Sequence, residues 1–265
     1  MKKIHFCFIL ITLFVGCAEF PKSNFKIDFI VDKEYDKMYI FRMFQGNDPA
    51  GLASRAYSMG IDYDFAKEVQ DAKNYSQIKP ELDELVNIRY NQIGNALQES
   101  VLAYAESWEP AIKDFSSVVT EITGYYWFHR KYVCVVSAFH PGVSNWSGNK
   151  IIRIYGEKPI EQRRITAHEI VLSHVFQIVR KNYGRSEVDD NSVWKIAEIT
   201  TVLILDDDRL LKYWGEGYVP PNNWFSRSNY PQLANLENTL RTIYANRNDF
   251  DEYIETAIHF AKNSE

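Results

Sequence analysis

The segment Val193 to Leu205 is apolar on nearly every side, with only Lys195, Glu198 and two threonines interrupting it. A helix apolar all round cannot sit on a surface, so it must be wrapped by the rest of the chain. That requirement organises everything else. The segment before it, about Gln162 to Lys181, carries Ile165, His168, Val171, Leu172, Val175 and Val179 at helical spacing. It therefore presents an apolar stripe that the buried helix can cover. One polar group interrupts each face: His168 on the first helix and Glu198 on the second. An ionised Glu rarely stays buried unpaired, so the two are expected to meet across the helix pair.

Around this pair the pattern reads as α+β, mainly helical with a small mixed sheet. Ile27 to about Thr123 is mostly helical, with Pro80 and Pro110 near helix starts. Tyr125 to Ala138 is rich in aromatic and β-branched residues and reads as one or two strands. His140 to Asn149 is turn chemistry, and Lys150 to Tyr155 is a further strand. Gly184 suits the C-terminal cap of the first long helix. Asp206-Asp-Asp208 suits the start of another helix. Residues 231–246 and 249–262 read as two closing helices.

The N-terminus is a targeting segment. Lys2 and Lys3 precede a nearly unbroken apolar run from Ile4 to Gly16, well short of the ~20 residues that span a bilayer. Phe14-Val15-Gly16-Cys17 resembles a bacterial lipobox, with Phe14 in place of the usual Leu. The resemblance implies removal of residues 1–16, lipidation of Cys17, a tether over 17–26 and a lipid anchor in the bacterial cell envelope. A single domain then fills 27–265. Cys134 is left as the one cysteine beyond Cys17, so no internal disulfide is expected, and its strand-like surroundings suit a buried small hydrophobe. Net charge is −5 with no basic tract, which argues against nucleic acid as a partner.

Ala167-His168-Glu169-Ile-Val-Leu172-Ser-His174, followed by Trp194-Lys-Ile-Ala-Glu198, resembles the zincin metallopeptidases, particularly the gluzincins. In their motif, two imidazoles at i and i+4 share one helix face and the Glu beside the first is the general base. A third ligand, a Glu, comes from the next helix, and a sheet-edge strand above the motif, here Lys150–Tyr155, aligns extended peptide. The resemblance covers about 120–205 and makes 124–265 a zincin-like part following a helical part, 27–123. It implies zinc held by His168 and Glu198, with Glu169 as catalytic base, acting on a peptide or protein substrate. The sequence departs from the motif at Leu172, which stands where the second His belongs. The next histidine, His174, is at i+6, about 120° around and roughly 9 Å along a regular helix. His174 is the first candidate for the missing ligand, His140 the second, and His129 a weaker third.

A metal-free His168–Glu198 pair explains the same residues. The chain is then an inactive zincin-like module that binds peptide or glycan, with the aromatics Trp214, Tyr218, Trp224 and Phe225 as the binding surface. His259, on a terminal helix, reads as structural.

Overall fold

The computed structural model describes residues 25–139, 143–144, 148–221, 223–225 and 230–262. Cys17, residues 1–16, most of the expected tether and His140 lie outside the described residues.

A short sheet is embedded among helices. Strand β1 (Lys26–Ile30) pairs in parallel with β2 (Lys131–Ser137), placing Ile27 opposite Tyr132 and Phe29 opposite Cys134. β2 pairs in parallel with β4 (Lys150–Ile154), with Cys134 opposite Ile151. The two-residue β3 (Val143–Ser144) runs antiparallel along β4, giving the order β1-β2-β4-β3. The chain is thus α+β, mainly helical around a small mixed sheet. Two expectations are corrected. Lys150–Ile154 is interior to the sheet and β3 forms the edge. The presumed tether also ends earlier than residue 26. Phe25 is buried against Trp127, at 4.5 Å between ring centroids, and Lys26 opens β1.

Between β1 and β2 lie α1 (Lys33–Phe44), α2 (Pro49–Met59), α3 (Tyr63–Asp71), α4 (Tyr75–Trp108) and α5 (Ile112–Thr123). The starts of α1 to α4 are fixed by side chains. Asp32, Asp48, Asp62 and Asn74 each accept a hydrogen bond from a first-turn N–H. Pro80 is the sixth residue of α4. It lies inside the helix rather than at its start, and gives up the bond an N–H would make to the Ser76 carbonyl. Because β1 joins the sheet ahead of these helices, the 27–123 part and the 124–265 part share one continuous core.

After β4 the chain forms α6 (Pro159–Asn182) and α7 (Asp190–Leu205). Pro159 occupies the first turn of α6, Glu161 follows it, and Arg180 and Lys181 close the last turn, which complements the helix dipole at both ends. Its C-terminus is an extended Tyr183, so Gly184 is not the cap. Asp189 caps α7 through the N–H groups of Asn191 and Ser192. As its composition requires, α7 is buried along almost its whole length, enclosed by α6, α9 (Pro231–Ala245) and α10 (Phe250–Lys262). Of the three aspartates after it, Asp207 caps the short α8 (Asp208–Leu211).

Candidate functional site

α6 and α7 are joined by a short turn and lie side by side. Gln162, Thr166 and Ser173 of α6 lie on its sheet side: Gln162 reaches Cys134, and Ser173 Oγ donates to Gly148 O at 2.6 Å. On the flank toward α7, His168 Nε2 lies 3.0 Å from Glu198 Oε2. The other Glu198 oxygen accepts the Trp194 indole N–H at 2.9 Å, one helical turn away. Tyr230 packs edge-on against the Trp194 ring, 5.4 Å between centroids. His168 and Glu198 are 20 % and 14 % exposed, so the pair is partly open to solvent. Burial draws the His168 pKa down, but the hydrogen bond and charge of Glu198 outweigh it, and the ring titrates above its ordinary value. Glu169, next along α6 and half-buried, adds to this with its charge. Among the described residues, the Glu169 carboxylate has no hydrogen-bond or ion-pair partner.

His174 is elsewhere. Its ring is fully buried, 4.5 Å from Trp127 and 5.5 Å from Phe128 between centroids. Its Nε2 lies 3.4 Å from Thr123 Oγ1, whose own proton is donated to Val119 O at 2.8 Å. The Thr oxygen must therefore accept, which makes His174 the Nε2–H tautomer. Burial, with the nearby His129, pushes its pKa down to about 3. His129 packs against Tyr132, 5.5 Å between ring centroids, on the side of His174, whose titration it influences. Leu172, at the i+4 position, is buried in the core.

The expected ligand set is therefore divided. His168 and Glu198 converge, and His174 faces the opposite flank, because six residues of regular helix turn it away. Among the described residues no three His, Cys, Asp or Glu side chains come together. Zinc sites use three or four protein donors in tetrahedral geometry. Among the described residues, the two donors brought together fall short of that number.

The aromatic surface expected from Trp214, Tyr218, Trp224 and Phe225 is also divided. Trp214 and Phe225 are buried, with the Trp214 indole donating to Leu205 O at 2.8 Å. Tyr218 and Trp224 instead cover Arg164, whose guanidinium carbon is 4.1 Å from the Trp224 ring centre and 5.1 Å from that of Tyr218. Arg164 is one turn before His168 on α6. Beside it lies Asp206, and α9 contributes Glu237 and Arg241. This charged group was not anticipated from sequence. The one local signal was Arg164 at i−4 from His168, which places it on the same face of α6. Cys134 is buried, and burial pushes its thiol up to about 12, consistent with an inert core residue.

No family model, curated protein or solved structure matches this chain.

Proposed function

We propose that this chain is a lipid-anchored protein of the bacterial cell envelope, built on a zincin-like plan without the hydrolytic metal centre, which binds extended peptide beside the partly exposed His168–Glu198 pair. One observation carries the reading. Leu172 is packed into the core where the second imidazole would stand, while both oxygens of Glu198 are engaged, one by His168 and one by Trp194. A carboxylate with both oxygens committed to hydrogen bonds completes a buried polar pair and needs no ion. The order of elements supports the zincin-like plan: β2, an antiparallel edge strand β3, β4, then the helix with His168 and the helix with Glu198. Peptide is favoured over glycan because two of the four aromatics that would form a sugar platform are core residues. The edge strand β3 offers backbone groups to an added strand.

A zinc peptidase completed by His140 is the second reading. It is favoured by Glu169, which stands beside the pair with a half-buried carboxylate that no described residue engages. The test is elemental analysis of the mature chain purified without chelator, together with assays of peptide binding and hydrolysis. The expected result is under about a tenth of an equivalent of zinc, no gain on adding it, and peptide binding unchanged in Glu169→Gln. Near-stoichiometric zinc, with hydrolysis abolished in Glu169→Gln, would overturn the proposal in favour of the peptidase.

A further inference from the structure

The chain enters the described structure at Phe25, and the surface around that point carries exposed aromatic rings and cations together. Phe25 is buried against Trp127 and Tyr132, 4.5 and 5.1 Å between ring centroids, and the Lys26 N–H donates to Arg130 O at 3.1 Å. These contacts set the start of the chain against the loop that joins α5 to β2. In that loop Trp127 is buried, while its neighbours on either side, Tyr126 and Phe128, are 57 % and 37 % exposed. Arg130 and Lys131 follow, both exposed, and Lys131 lies opposite the exposed Lys26 in the sheet.

The charge there runs against that of the whole chain, which is −5. Lys26, Arg130 and Lys131 stand against one acid, Asp28, which pairs with both lysines. At the border of the loop, Tyr125 donates to Asp251 at 2.7 Å and has Lys181 5.1 Å from its ring centre. That adds one acid and one cation, and the balance stays positive. Exposed Tyr and Phe rings beside Arg and Lys suit the headgroup layer of a bilayer. The rings are favoured at the boundary between water and hydrocarbon, and the cations meet anionic lipid.

The tether decides the occupant. Cys17 and Phe25 are eight residues apart, and even fully extended such a stretch spans only about 28 Å. A folded domain of this length is roughly 45 Å across. A lipid on Cys17 therefore cannot bring the far side of the domain to the membrane, but it keeps the surface around Phe25 within reach of one. A surface held that close meets headgroups at high effective concentration, so a weak affinity is enough to fix one orientation. We infer that the face formed by Lys26, Tyr126, Phe128, Arg130 and Lys131 lies on the anchoring bilayer and binds its anionic phospholipid headgroups. The inference rests on the lipid-anchored reading of Cys17 and is independent of what binds beside the His168–Glu198 pair.

Hydroxyl-radical footprinting of the mature lipidated chain, read by mass spectrometry, tests this face. The chain is placed in vesicles of phosphatidylcholine alone, and in vesicles that also hold about 30 % phosphatidylglycerol. Tyr57 on α2, 89 % exposed, serves as the reference. Relative to Tyr57, Tyr126 and Phe128 should oxidise about threefold or more slowly in the anionic vesicles than in the neutral ones. The difference should vanish in the double variant Arg130→Gln, Lys131→Gln. Equal oxidation in the two kinds of vesicle would overturn the inference, as would protection that survives the double substitution. The intact mass of the same sample reports the lipid on Cys17. A chain without that lipid would sink the anchored reading and the inference with it. A lipidated chain whose rings gain no protection would sink the docking face alone.

Discussion

His168 and His174 stand six residues apart on one helix and live in opposite chemical worlds. His168 is partly open to solvent, is hydrogen-bonded to a carboxylate, and is held above its ordinary pKa. His174 is sealed between Trp127, Phe128 and Thr123 and is held at about 3. A helix turns by about 100° per residue, so i+4 would share a face with His168 and i+6 cannot. The two histidines resemble a motif when written in a line, but the helix assigns one to a site and the other to the core.

This contrast should appear first in stability. His174→Ala removes a fully buried ring and should cost about 2–4 kcal/mol by urea unfolding, whereas His174→Phe should recover most of it by keeping the contacts with Trp127. If His174→Ala proved neutral, the ring would not be a core residue. A smaller effect is expected at the His168–Glu198 pair. Glu198→Ala leaves the Trp194 indole and His168 without their acceptor and should cost about 1–3 kcal/mol. Trp194→Phe, which deletes one of those two bonds and keeps most of the ring, should cost about 1 kcal/mol in the same assay. A larger loss in Trp194→Phe than in Glu198→Ala would mean that Trp194 acts chiefly through packing.

The contrast also shows in pH dependence. A folded-state pKa raised above the unfolded value contributes stability that is full below the unfolded pKa and is lost as pH rises through the folded one. The His168–Glu198 pair should therefore add stability on the acid side of 6.5 and lose it above. His174, whose pKa is depressed, gives the opposite dependence. Its stabilising effect is present above 6.5 and is lost between there and about pH 3. Stability curves of His168→Gln and His174→Phe against pH should separate the two slopes.

Much of the helical frame was legible in the chain, because helices advertise themselves locally. The apolar stripe of α6, the all-round burial of α7 and the two closing helices follow from spacing alone, and with them the meeting of His168 and Glu198. The misreadings involve partners distant in sequence. β1 is a five-residue run whose partner is β2, on the far side of five helices, so nothing near Lys26–Ile30 announces a strand. The sequence places the sheet edge at Lys150–Tyr155 because β3 has only two residues, too few for any alternation to show. Asp206 was grouped with Asp207 and Asp208 as a helix start. Asp207 does that work, while Asp206 turns inward toward Arg164 and Arg241, residues that only the fold brings near. The site was half legible for the same reason. A two-residue pairing across adjacent helices can be read from periodicity, but the identity of a third partner cannot.

The most direct test is the titration of the histidine ring nitrogens by long-range nitrogen–proton NMR, with and without an equivalent of zinc. The expected result is a His168 midpoint above the ordinary imidazole value, a His174 that stays the neutral Nε2–H tautomer down to about pH 3, and no change in either on adding zinc. Zinc-dependent shifts of both rings, with His174 titrating alongside His168, would contradict the account and return His174 to a shared metal site.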